Sequence, residues 1–188
     1  TTDKDVEGAL KASKTTMEVA KKYEDATTID KTEKLMIQAY ATMGSTYFSN
    51  NEPEKAICAF DSVLAINPDH LTALYNKSLT YKKMNNPDKY GEAIDVYLEK
   101  LNAAGETAKA EQASRSALEY FRVLASKANK DNKLAEAIEL LNTASKYGED
   151  KDVYYYYATV LNKQKKFADA AVNAQKGLDM ETGTPEDK

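Results

Sequence analysis

Groups able to do chemistry are scarce in this chain, which carries one histidine, His70, and one cysteine, Cys58. A nucleophile needs a base beside it and a metal needs several converging ligands, so two such residues cannot furnish a catalytic triad or a His/Cys cage. His70 follows Asn67-Pro68-Asp69 and reads as a solvated polar residue of a turn. Cys58, between Ile57 and Ala59 in a helical stretch, is expected to be a small packing residue. The acid pairs Glu52 with Glu54 and Glu149 with Asp150 have the groups for general acid–base work. They stand where helices should begin, however, and carboxylates are stabilised simply by facing helix N-termini. No glycine-rich phosphate loop, Gly-x-Ser-x-Gly elbow or Cys-x-x-Cys pair occurs. The expectation is a protein with no catalysis, no cofactor and no metal.

The elements that carry these residues follow from composition. With 188 residues, 42% of them hydrophobic and 30% charged, the chain can bury a core. Seven Gly and four Pro among many Ala, Lys, Glu and Leu describe helices joined by short turns. A net charge of -4 and a pI near 5.2 offer no basic surface for phosphate backbones, so nucleic acid is not an expected partner. No apolar run approaches the roughly 20 residues that span a bilayer, and the opening TTDKDVEG is neither a signal core nor a transit peptide. One cysteine leaves the redox compartment open.

A fixed internal period organises the chain. Tyr40, Met43, Gly44 and Tyr47 are followed by Ala56, Phe60 and Pro68. Thirty-four residues after Gly44 and Tyr47 stand Ser78 and Tyr81, and Asn50-Asn51-Glu52-Pro53 recurs as Asn85-Asn86-Pro87-Asp88. A third unit aligns Phe121, Leu124, Ala125 and Ala128 with Ala137, Leu141 and Ala144, and a fourth aligns Tyr154, Tyr157, Ala158 and Leu161 with Ala170, Ala174 and Gly177. Small residues where two helices cross allow close approach, and large ones fill the space beside them.

This order of aromatic, small and aromatic, then small, aromatic and proline, resembles the tetratricopeptide repeat. The resemblance implies an all-α fold, an α-solenoid of antiparallel helix pairs. The expected organisation is an N-terminal capping helix over 1–30, interrupted at Ala26 to Asp30, then four pairs over 31–182. These fall at about 37–70, 71–107, 108–150 and 151–182, the third with an extended first helix. Thr184-Pro185-Glu186-Asp187 carries a helix start signal, so 183–188 is expected to lead into a further helix. Met43, Gly44, Phe60, Tyr81, Tyr97, Leu124, Leu141, Tyr157 and Ala174 are the expected core.

In the repeat family the first helices of successive units line a concave groove that binds peptides. Carried onto this sequence, that phase turns Tyr75, Asn76, Lys82, Arg122, Tyr155 and Tyr156 inward as groove candidates. Four consecutive tyrosines point all round a helix, so Tyr154 and Tyr157 are left for the packing seam. Some family members grip a C-terminal carboxylate with lysines and asparagines. Here only Asn76 stands where that clamp needs it, since Ala41 and Ser45 replace a Lys and an Asn, and the clamp is not expected. The expected partner is a protein or peptide, acidic with apolar anchors. The alternatives are a structural or oligomerisation module of a longer envelope protein, or a glycan or small-molecule binder using the tyrosines. Lys-, Asn- and Tyr-rich composition with no initial Met points to a bacterial periplasmic or envelope protein, with the cytoplasm as the alternative, and leaves the oligomeric state open.

Overall fold

The computed structural model describes residues 2–182, which form nine α-helices and no strand. They are α1 (Thr2–Lys22), α2 (Ala26–Ser49), α3 (Pro53–Ile66), α4 (Leu71–Lys83), α5 (Pro87–Ala103), α6 (Thr107–Lys130), α7 (Leu134–Ser145), α8 (Lys151–Lys163) and α9 (Phe167–Thr182). Five of the turns between them use one device. Glu24, Asn51, Asn85, Asn132 and Lys165 follow α1, α2, α4, α6 and α8 with φ between 53° and 63°. The next amide bonds a carbonyl five residues back, as from Glu52 to Tyr47 and from Lys166 to Leu161, both at 2.9 Å. A left-handed residue closing a helix in this way satisfies carbonyls that the helix end leaves open. Asparagine accepts that backbone region more readily than most residues, which accounts for Asn at three of the five turns.

The break expected at 26 to 30 falls earlier. Asp25 accepts hydrogen bonds from the Thr28 amide at 3.0 Å and the Thr28 hydroxyl at 2.6 Å. It thereby caps α2, so Ala26 to Asp30 belong to the helix. The call for a further helix from Thr184 lies outside the described residues.

The chain divides into two compact units, Thr1–Ala104 and Gly105–Lys188. In the first, α1 packs on α2, α2 pairs with α3, α3 packs on α4, and α4 pairs with α5. In the second, α6 pairs with α7, α7 packs on α8, and α8 pairs with α9. Turns of only a few residues force each helix back along its predecessor. The tightest crossing is Gly44 under Phe60, where a Cβ on residue 44 would lie 2.5 to 2.8 Å from the ring. Phe60 is buried with Ala56, Val63 and Ala73, and Tyr40, Tyr47 and Phe48 close around them.

Each unit also repeats a strap between its two first helices. Lys83, ending α4, donates to the Phe48 carbonyl at 2.9 Å near the end of α2. Lys163, ending α8, donates to the Asn129 carbonyl at 2.7 Å near the end of α6. A cation at the carbonyl end of a helix is favoured by the helix dipole.

Of the expected core, Gly44, Phe60, Tyr97 and Leu141 are buried, whereas Met43, Tyr81, Leu124, Tyr157 and Ala174 are only half-buried. Met43, Leu124 and Tyr157 share the repeat position of Lys77, immediately before the small residue. That position lies at the margin of the helix pair, where Lys77 and Tyr157 reach back to the preceding helix. Alanines such as Ala113, Ala117 and Ala125 fill much of the seam of α6 instead.

Two substitutions test this account. Gly44→Ala drives a methyl into the Phe60 ring and is expected to cost about 1–3 kcal/mol in urea unfolding. Adding Phe60→Leu should make the double variant less destabilised than the two single costs combined. Lys165→Gly removes the side-chain penalty of a positive φ and should raise stability by up to about 1 kcal/mol, read as a higher urea midpoint.

Candidate partner-binding surfaces

The small residue of each first helix sets the register of its neighbours. Three residues before Ser78, Ala125 and Ala158 stand Tyr75, Arg122 and Tyr155, and two before stand Asn76, Val123 and Tyr156. One residue is a rotation of about 100°, so these two sets face different surroundings.

The first set is engaged within its own unit. Tyr75, 40% exposed, packs against Tyr97 of α5 with ring centroids 5.3 Å apart. Lys82, two turns on along the same face of α4, stands over the Tyr90 ring at 5.6 Å. Arg122, its side chain 18% exposed, pairs with Glu119 and Asp152 and lies 3.7 Å from Asp150. Asp150 in turn caps α8 by accepting from the Asp152 and Val153 amides at 2.9 and 3.2 Å. Partial burial works against the Arg122 charge, but the surrounding carboxylates outweigh it and raise its pKa above the ordinary value. Arg122 therefore ties α6 to the start of α8. Tyr155 leans on α9 and donates to Glu181 Oε2 at 3.2 Å, and Gly177 leaves room for the Lys151 carbonyl, which a Cβ there would meet at 3.2 Å.

Of the second set Val123 is exposed, while Asn76 and Tyr156 are less exposed than Tyr75 and Tyr155. Asn76 is half-exposed on α4. In the second unit a groove of 410 Å³ lies between α6 and α8, lined by Arg122, Val123, Ser126, Lys127, Lys130, Asp131, Asp152 and Tyr156. Val123 is 54% exposed. Lys127 and Lys130 sit in the last turn of α6 and make no ion pair among the described residues. Val123, Lys127 and Lys130 thus form an i, i+4, i+7 stripe facing Tyr156. Sequence reasoning picked out Arg122 and missed this stripe, although the register of Val123 with Tyr156 carried the signal.

In the first unit a groove of 530 Å³ on α2 is lined by Gln38, Ala41, Thr42, Ser45, Thr46, Ser49 and Asn50, and none of Tyr75, Asn76 and Lys82 lines it. The Thr42 and Ser49 hydroxyls are turned back to carbonyls of their own helix at 2.8 and 2.9 Å.

The tyrosine run divides by direction. Tyr154 lies under Lys176 of α9 at 5.7 Å, Tyr155 meets Glu181, Tyr156 lines the groove, and Tyr157 donates to Asn142 of α7 at 2.6 Å.

His70 and Cys58 differ from expectation. His70 caps α4, its Nδ1 accepting from the Ala73 amide at 3.2 Å. Cys58 is exposed, because the inward face of α3 is taken by Ala56, Ala59, Phe60 and Val63. Among the described residues no three His, Cys, Asp or Glu side chains converge to hold a metal ion, and no helix is long and apolar enough to cross a membrane.

The recurring pairs, turns and lysine straps define the architecture. The fold is an all-α helical repeat, as the resemblance to the tetratricopeptide repeat implies. No family model matches the chain. No curated protein matches it either. Among solved structures it is similar to an assembly chaperone of RpL4, with 11% identity, 94% of this chain and 77% of that one covered, and a TM-score of 0.47. It is also similar to MamA from Desulfovibrio magneticus, with 17% identity, 90% and 94% coverage and a TM-score of 0.37. A tetratricopeptide repeat protein from Parabacteroides merdae gives 18% identity, 95% and 79% coverage and a TM-score of 0.34.

The contacts of Tyr155 generate a pH prediction. The Lys151 ammonium, at 2.8 Å, and then the Tyr155 hydroxyl hold the Glu181 carboxyl below its ordinary value. A carboxyl with a depressed folded-state pKa adds stability above its unfolded value and loses it as pH falls through the folded one. Glu181→Gln should therefore melt below wild type at neutral pH and converge with it under acid conditions, in paired thermal melts.

Proposed function

We propose that this chain is a non-enzymatic protein-interaction module that holds a peptide or protein segment against the faces of its first helices. The groove between α6 and α8 carries the reading, because it joins an exposed aliphatic side chain, an aromatic ring and two cations that have no ion partner among the described residues along one open line. Tyr156 and Val123 supply apolar anchors. Lys127 and Lys130 favour carboxylates, so an acidic segment with apolar side chains is the complementary ligand. Arg122, Tyr155 and Lys82 act by holding the surfaces in place, since each is engaged within its own unit. Tyr75 and Asn76 offer a separate contact face on α4.

Selection of displayed random peptides on the intact protein, followed by kinetics on the strongest binder, tests this. Acidic sequences with aliphatic or aromatic anchors should be enriched. Tyr156→Ala should then mainly speed dissociation, at a cost of about 1–3 kcal/mol. Lys127→Ala with Lys130→Ala should slow association at low salt, with the difference fading as ionic strength rises. Binding that ignores all three substitutions would place the ligand on another surface and defeat the proposal.

A further inference from the structure

The first helix has two apolar sides. One carries Leu10, Met17 and Ala20 and is turned to α2, with Leu10 and Ala20 buried. The other lies about 140° round the helix and carries Gly8, Ala12, Thr15, Val19 and Tyr23, all exposed. Together with Asp25 and Thr28 it lines an open groove of 780 Å³. Val19 is 52% and Tyr23 72% exposed. The Thr15 and Thr16 hydroxyls donate to carbonyls of their own helix, Lys11 at 3.3 Å and Ala12 at 2.9 Å, which leaves their methyls to line the groove. A helix that packs one side on its neighbour has no need of apolar side chains on the opposite side for folding.

The order of sizes along this side decides what covers it. Gly8 and Ala12 stand at one end, Val19 and Tyr23 at the other. A β-carbon on Gly8 would meet nothing within 4 Å, so the space beside it is empty. A two-fold axis passing between Thr15 and Thr16 places Gly8 of one copy opposite Tyr23 of another, Ala12 opposite Val19, and Thr15 opposite Thr16. Lys11 then falls opposite Ala20, so every α1 residue lining the groove pairs with another of the same set, large against small. Charge fits the same arrangement. The helix carries five lysines and four acids, so two copies of it barely repel, and antiparallel pairing sets their dipoles head to tail. Lys11, which makes no ion pair among the described residues, then points along the partner toward its Asp25, about one helical turn beyond Ala20.

We infer that this side of α1 is the contact by which the chain pairs with a second copy of itself, the two α1 helices antiparallel and the Tyr23 ring of each seated over Gly8 of the other. A face about 24 Å long and one helix wide covers less than the roughly 800 Å² per partner of a standard interface, so the dissociation constant is expected on the order of 100 μM. This contact is separate from the groove between α6 and α8, and either can exist without the other.

Sedimentation equilibrium of the full chain, from about 10 μM to about 1 mM, should show a monomer–dimer equilibrium. Gly8→Glu puts a charged side chain where Tyr23 of the partner would sit, yet its β-carbon touches nothing within the chain. It should weaken association at least about tenfold, while helix content and the melting temperature at low protein concentration stay at wild-type values. Tyr23→Ser should weaken association likewise. Direction is read from disulfides in a Cys58→Ser background, where Ala12→Cys chains mixed with Val19→Cys chains should crosslink faster than either variant alone. A chain still monomeric at the highest concentration would overturn the inference and give the face to a different partner. A dimer that ignores both Gly8→Glu and Tyr23→Ser would overturn it, as would Ala12→Cys chains that crosslink with themselves faster than with Val19→Cys chains.

Discussion

Two helices can approach closely only where one of them has almost no side chain. In the first pair that place is Gly44, and Phe60 fills the space a β-carbon would have taken. Once this crossing is set, Tyr40, Tyr47 and Phe48 have a wall to pack on, and the neighbouring second-helix residues fall into fixed directions. The register of Asp61 toward Lys77 follows from it. Ser78, Ala125 and Ala158 occupy the same place in later pairs, so the surfaces described above inherit their geometry from the small residue of each first helix.

The polar contacts divide into those that build and those that are available. Arg122 illustrates the first kind, since three carboxylates and partial burial leave it little freedom to meet a ligand. Its contribution is to fix the mouth of the groove by joining α6 to the capped start of α8. Lys127 and Lys130 illustrate the second kind: they stand in a last turn where the helix dipole welcomes cations, with solvent around them. Cationic side chains on a single helix can therefore have opposite roles, decided by which carboxylates lie within reach.

Repetition extends to individual bonds. The strap from Lys83 to the Phe48 carbonyl returns as Lys163 to the Asn129 carbonyl, although Phe and Asn have nothing in common as side chains. The contact uses the backbone, so it survives complete replacement of the residue that accepts it. The second-helix bond behaves differently, because Asp61 with Lys77 is an ion pair while Asn142 with Tyr157 is neutral. In α3, α7 and α9 that position is polar, as Asp61, Asn142 and Gln175, whereas in α5 it is Leu98.

Alternation of small and large residues at a fixed period was enough to read the helix pairs, since close helix crossings tolerate few other arrangements. The Asn-Asn turns were equally legible, because their backbone region admits few residue types. The start of α2 was not, since it depended on Asp25 finding the Thr28 amide, and a polar run such as Ala26 to Asp30 suits a loop or a first turn alike. Periodicity also could not tell which side of a first helix remains open. Tyr155 and Tyr156 are adjacent and chemically identical, yet one lies on α9 and the other lines the groove. That difference is a rotation of about 100° relative to neighbours that only the folded chain brings alongside, and those neighbours place Val123, Lys127 and Lys130 beside Arg122 along the groove.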